Sequence, residues 1–252
     1  MVQALGRRER NRQARYATYL TTAKHLVATE GLDALSMQRL ADAVDAAVGT
    51  VYTYFPSKSA LVAAVQRDAI ERLTRSYLLG RESLDRSLDR RPDGDPIAAL
   101  ARLVAFGRWF AGTVEVFPEE AHLLQLLMAE LRPAVSTEDA EEVLPAALRL
   151  LDHARECFAA AAAAGALERG DAMERTIVLA AAMNGVLLLS RLDRFDPVLF
   201  DGPRLARALV ADLLRGWGAD PVALTEAARL VDAIARRHPL TPLVPDRDVE
   251  TP

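Results

Sequence analysis

Apolar residues recur at spacings of three and four along almost the whole chain, and alternation with period two is nowhere sustained. That pattern predicts helices throughout. Tyr16, Tyr19, Leu20, Ala23, Leu26 and Val27 fall on one stripe and predict a first helix over about 12–30. Gly31 follows as a cap able to take the left-handed conformation, and residues 1–11 read as disordered. Ser36 is a good N-cap for a short second helix whose apolar face is Met37, Leu40, Ala41 and Val44. A third helix covers about 47–54, with Val51, Tyr52 and Phe55 able to pack back on the first two; Pro56 ends it. Ser57 then caps a long helix from Lys58 to about Leu79, or to Leu88, with Gly80 as the only interruption.

A break at 89–96, rich in Asp, Arg, Pro and Gly, precedes further helices at about 97–112, 118–131, 138–164, 172–192 and 203–217. Asp220 and Pro221 open an extra helix with the narrow stripe Leu224, Ala227, Val231 and Ile234. The proline-rich end reads as loose. Residues 138–142 hold four acids that complement the dipole at a helix start. The expected fold is all-α. An amino-terminal three-helix helix-turn-helix domain (12–62) precedes a larger helical domain (63–237) and a tail (238–252).

Composition agrees. Of 252 residues 51% are hydrophobic, enough for proper cores, and the helix formers Ala, Leu and Arg dominate. The lone Cys157 excludes an intramolecular disulfide framework and a multi-cysteine zinc site. The four histidines (His25, His122, His153, His238) are too scattered for a metal, and no cofactor is expected. The arginine-rich start has no apolar signal core, and the apolar stretch 177–190 is too short to span a bilayer. A soluble, cytoplasmic protein with no membrane partner is therefore expected.

Net charge is −4, but eight Lys/Arg face five Asp/Glu in residues 1–60, giving +3 there and −7 in the remainder. That polarity suits a molecule that meets phosphate with one end. Arg7, Arg8, Arg10, Arg12 and Arg15 read as a flexible arm or first helical turn near the DNA backbone or minor groove, or equally as a solubilising tail.

Residues 36–58 have the layout of a helix-turn-helix that sets its second helix in the major groove. The run Val48-Gly49-Thr50-Val51-Tyr52-Thr53-Tyr54-Phe55-Pro56-Ser57-Lys58, with Gly31-Leu32 and Leu35-Ser36-Met37 before it, resembles the amino-terminal domain of TetR-type repressors. The resemblance covers about 12–62 and departs at Asp45, where the family usually has glycine. It implies that helix 3 recognises DNA through Ala47, Val48, Gly49, Thr50, Tyr52, Thr53 and Tyr54. Lys58 would meet a phosphate, and Ser36 and Gln38 would make backbone contacts. Val48, Tyr52 and Tyr54 read equally as packing residues, and Lys58 as a solvated lysine.

The same resemblance implies a ligand cavity and a homodimer built from the last two main helices. Candidates for the cavity are Phe106, Trp109, Phe110, His122, Leu126, Met128, His153, Phe158 and Asn184, each of which reads equally as plain core. Candidates for the dimer face are Val178, Ala181, Ala182, Gly185, Leu188 and Leu189 with Leu205, Leu209, Leu213 and Trp217, which also suit the core of a monomer. The function so implied is a DNA-binding regulator, a repressor, acting as a homodimer on palindromic duplex DNA and modulated by a small, largely apolar effector. The alternative is a helical ligand-binding or scaffold protein whose helix-turn-helix no longer binds DNA. No phosphate-binding glycine loop, His-Glu-x-x-His, Gly-x-Ser-x-Gly or cysteine–histidine set points to an enzyme.

Overall fold

Short polar side chains set the helix starts. Ser36, Asp95, Asp171, Asp201 and Asp220 each accept a hydrogen bond from a backbone N–H two or three residues on. Such caps are worth about 1 kcal/mol apiece. Pro96 and Pro221 sit at the first helical positions, where a missing N–H costs nothing.

The computed structural model describes residues 6–129 and 135–244, without the side chains of residues 126–129 and 191. Among the described residues all regular structure is helical. The order is α1 (Arg7–Glu30), α2 (Met37–Ala43), α3 (Val48–Tyr52), α4 (Lys58–Leu88), α5 (Pro96–Val116), α6 (Pro118–Ala129) and α7 (Thr137–Ala163). After these come α8 (Ala172–Leu189), a 3-10 turn (Ser190–Leu192), α9 (Gly202–Gly216) and α10 (Pro221–Ala235). The all-α expectation holds. Helix α1 starts five residues before the expected Arg12, so residues 7–11 are helical; residues 1–5 of the expected disordered start lie outside the described residues.

The chain forms two units. The first contains Met1–Arg72, Glu119–Ala146 and Val244–Pro252, and the second Leu73–Pro118 and Ala147–Leu243. In the first unit, α1, α2 and α3 close on a core of Leu20, Ala23, Val27, Leu40, Val51 and Phe55. In the second, α5 is the central helix: α9 and α10 pack on it, and α8 packs on both α9 and α5.

An aromatic cluster fills the second unit. The Tyr77 ring meets Phe106 at 5.3 Å, Trp109 at 5.2 Å and His153 at 5.7 Å, and Phe110 stands edge-on to Trp109. The Tyr77 hydroxyl lies 3.7 Å from the Cys157 sulfur. Burial pushes the Cys157 thiol up from its ordinary pKa, consistent with an inert buried thiol.

Among the described residues two helices, α5 and α8, are long and apolar enough to cross a membrane. The stretch judged too short for a bilayer thus sits in an adequate helix, because Ala172–Thr176 extends it. Helix α5 is mostly buried, whereas α8 is only 22% buried in its apolar window.

The end of the chain, expected to be loose, is held as far as Val244. Beyond α10, Leu240–Leu243 run as a strap in the second unit. The Ser76 hydroxyl donates to the Pro242 carbonyl at 2.9 Å, and the Thr241 hydroxyl to the Trp109 carbonyl at 3.1 Å. Two helix-interior glycines make room for it. A Cβ on Gly80 would lie 2.3 Å from the Leu240 carbonyl oxygen, and one on Gly112 would lie 2.5 Å from the Thr241 hydroxyl. This explains why glycine stands at position 80 inside α4, which runs on to Leu88.

Alanine in place of a mid-helix glycine ordinarily stabilises by about 0.5–1 kcal/mol. Gly80→Ala should instead destabilise by about 1–3 kcal/mol, the usual cost of overpacking, and lower the thermal midpoint. Thermal and urea denaturation of the full chain check the sign.

Candidate nucleic-acid interface

Helix α2 ends in a turn whose geometry follows from one residue. Asp45 has φ 51°, the only positive φ among the described non-glycine residues. The Ala46 N–H bonds the Ala41 carbonyl at 3.0 Å and the Asp45 N–H the Asp42 carbonyl at 3.4 Å. These are the two bonds of a Schellman ending, whose left-handed position glycine usually fills. Aspartate tolerates that conformation better than most residues, so the turn forms in spite of the departure from glycine.

The turn delivers Ala47 as the N-cap of α3. One side of α3 is sealed: Val51 is fully buried and Phe55, just beyond the helix, nearly so. The Tyr16 ring stacks on Phe55 at 5.2 Å, and Tyr54 stands edge-on to Tyr19 at 5.1 Å. The other side is open. Ala47, Gly49, Tyr52 and Thr53 are exposed, and Val48, Thr50 and Tyr54 are half-buried. Tyr52, expected to pack back on the first two helices, is 50% exposed and joins the open face. Position 52 directly follows Val51, so a 100° step turns it away from the core. The Thr53 hydroxyl donates to the Thr50 carbonyl at 2.6 Å. Nothing lies within 4 Å of a Cβ built on Gly49.

Around α3 the flanking candidates are exposed and oriented by neighbours. The Ser36 hydroxyl caps α2, and the Gln38 amide donates to Asp42 at 2.7 Å. The Lys58 ammonium donates to the Leu32 carbonyl at 3.2 Å, at the first residue of α4. The start of α4 is fastened to the start of α7. The Ser59 and Ser136 hydroxyls both donate to the Asp139 carboxylate and hold it below its ordinary pKa, Ser59 contributing most.

The residue that sequence reasoning misjudged is Lys24. Counted with the DNA-facing charges, it is 1% exposed, with its ammonium 3.2 Å from Asp68 and 3.1 Å from Glu120. Arg72 bonds the same Glu120 oxygen at 2.7 Å and donates to the Val244 carbonyl at 3.1 and 2.9 Å. Two cations and two carboxylates therefore neutralise one another where α1, α4 and α6 meet. The signal was the position of Lys24 between Ala23 and Val27 on the apolar stripe. Arg39 is likewise paired, with Glu30 at 2.6 Å.

In the second unit a cavity of about 1030 Å³ lies along α5, α9 and α10, with Val104, Leu187, Phe200, Val210 and Leu224 among its apolar walls and Arg108 and Arg207 among its polar ones. None of the seven cavity candidates with described side chains lines it. Phe106, Trp109, Phe110 and His153 belong to the aromatic cluster, beside a space of only about 10 Å³. His122 is on α6 in the first unit, and Asn184 is on α8 with its amide donating to the Ala180 carbonyl. The side chains of Leu126 and Met128 lie outside the described residues. Phe158 is buried against Trp217. Among the described residues no group of three or more His, Cys, Asp or Glu is placed to hold a metal.

The dimer candidates share one property. Val178, Ala181, Gly185, Leu188 and Leu189 are exposed, and Ala182, Leu205, Leu209, Leu213 and Trp217 are half-buried. The buried row of α9 is instead Gly202, Ala206, Val210 and Leu214.

Comparison with known proteins gives the same fold. Residues 20–65 match the model of the bacterial regulatory proteins, tetR family. A transcriptional regulator, FadR from Bacillus subtilis, solved with stearoyl-CoA, superposes with a TM-score of 0.59 at 13% identity, over 80% of this chain and 98% of that one. A protein of unknown function from Rhodococcus sp. RHA1 gives 0.57 at 20% identity over 79% and 93%. A protein from Saccharomonospora viridis solved with choline gives 0.55 at 19% over 81% and 96%. No curated protein matches the chain.

Two substitutions test this construction. Glu120→Ala should leave Lys24 and Arg72 short of a counter-charge and cost about 3–5 kcal/mol in chemical denaturation. Asp45→Gly should remove the strain of the left-handed position and raise stability by about 1 kcal/mol, measured the same way.

Proposed function

We propose that the chain, whose residues 20–65 match the model of the tetR family of bacterial regulatory proteins, is a sequence-specific DNA-binding repressor of that type that acts as a homodimer on a palindromic operator. The observation that carries this reading is the two-sidedness of α3: Val51 and Phe55 seal one face while Gly49, Thr50, Tyr52 and Thr53 stand open on the other. An α-helix fits the major groove, and small side chains at its start let the backbone come close to the bases. In this arrangement the Val48 side chain favours a thymine methyl, Thr50 and Thr53 offer hydroxyls to base edges, and Tyr54, Ser36, Gln38 and Lys58 contact phosphate.

A palindrome needs two reading heads about 34–36 Å apart. The bare apolar face of α8, with Leu205, Leu209, Leu213 and Trp217, supplies the surface for a two-fold helix bundle between copies. The cavity in the second unit supports a small, largely apolar effector, and relatives of the same fold hold ligands as different as stearoyl-CoA and choline. An effector that prefers one spacing of the heads shifts DNA affinity by its differential affinity and no more. Couplings of about 1–3 kcal/mol are typical.

Fluorescence-anisotropy titration of the unaltered protein with the duplex upstream of its own gene should show specific binding to a palindrome, falling steeply with salt. Gly49→Ala should lower affinity at least about tenfold, the factor that corresponds to about 1.4 kcal/mol, while leaving the thermal midpoint unchanged or higher, since the added methyl meets only open space within the protein. Lys58→Ala should weaken binding to all sequences alike. Binding without site preference and without salt dependence would favour the scaffold reading.

A further inference from the structure

The inward stripe of α1 changes chemistry halfway along. Residues 8, 12, 15, 19, 23 and 26 follow at spacings of four, three, four, four and three, which puts them on one face of the helix. In the second half of that face Tyr19, Ala23 and Leu26 are buried. In the first half the same face carries Arg8, Arg12 and Arg15, and all three are exposed. No residue from 7 to 15 is buried. This spur continues about 13 Å beyond Tyr16, whose ring stacks on Phe55 at the end of the recognition segment.

Such a spur is costly in water. Helical turns without a packing surface are marginal. Arg7, Arg8 and Arg10 also crowd the end of α1 where the helix dipole is positive, with Glu9 the single acid among residues 7–15. Among the described residues Arg7, Arg8, Arg12 and Arg15 enter no salt bridge, whereas Arg39 and Lys24 in the same unit are both paired. A polyanion lying along the stripe offsets the dipole and the mutual repulsion together.

We infer that residues 7–15 form a phosphate-binding spur, in which Arg8, Arg12 and Arg15 lie against the sugar–phosphate backbone of the duplex read by α3. The inference rests on the DNA-binding reading above and adds to it a contact outside the helix-turn-helix. From Arg8 to Arg15 the stripe is about 10 Å long, a length over which one strand of B-DNA presents about three phosphates along its axis. Guanidinium forks suit phosphate oxygens. Contacts of this kind position a protein without reading sequence, so the spur sets affinity and salt response and leaves site preference to α3.

The test uses the full-length protein and a palindromic duplex selected from random-sequence DNA. Anisotropy titrations across a salt series compare the unaltered chain with the triple variant Arg8→Gln, Arg12→Gln, Arg15→Gln and with the triple lysine variant. The spur makes no buried contact, so both variants should keep the thermal midpoint of the unaltered protein. The glutamine variant should lose about 0.9 of the slope of log K against log salt for each phosphate contact removed. Up to six contacts are lost in a dimer, and affinity should fall at least about tenfold near 0.1 M salt. The lysine variant should recover most of the slope, and the selected sequence should be the same for all three. Amides of residues 7–15 should exchange more slowly on DNA in the unaltered protein but not in the glutamine variant. Equal slopes and affinities for the glutamine variant and the unaltered protein would overturn the spur while leaving the regulator reading intact. Failure of the unaltered protein to bind any duplex would overturn both.

Discussion

A helix of five residues does not hold together by itself in water, because nucleation costs more than so few hydrogen bonds return. Helix α3 exists because Val51 and Phe55 are pulled inside and Tyr16 and Tyr19 close over them. That burial leaves the remaining side chains of α3 no choice of direction. Their exposure follows from anchoring at two positions, and so does everything the proposed groove-reading face offers to a partner. The Schellman turn before it fixes where the anchored segment begins, and the α4 start at Lys58 fixes where it ends.

Charge is sorted in the first unit by burial as much as by sequence. Lys24 and Arg72 are consumed by Glu120 and Asp68, and Arg39 by Glu30. Arg7, Arg8, Arg12, Arg15 and Lys58 are exposed in the same unit and enter no salt bridge among the described residues. The positive balance of the first 60 residues therefore overstates the number of cations a partner meets, while their concentration on one helix end understates the local field.

Much of the architecture was legible from the chain because helices announce themselves by period and caps. Ser36, Asp220 with Pro221, and Gly31 marked their boundaries to within a residue. The turn at Asp45 was readable for the same reason: few side chains accept its conformation. What was not legible depends on distance across the fold. Lys24 looks like any basic residue until Glu120, 96 positions later, is brought beside it. Tyr52 has the chemistry of a core residue and the phase of a surface one, and phase decides. Phe106, Trp109, Phe110 and His153 are the large rings that suggest a ligand wall, yet large rings also fill space best, and here they pack on Tyr77 and on one another. The cavity has small residues such as Gly107, Ala111 and Ala206 among its walls, and their modest size helps to leave it open.

The strap Leu240–Leu243 gives the second unit an order of assembly. Its seat is made of glycine notches on α4 and α5, so it can be laid down only after those helices have met. Until it is in place, Gly80 and Gly112 stay as weak points in two long helices. The second unit carries its own late-acting latch, and two helices formed early wait for a segment more than a hundred residues further on to close them.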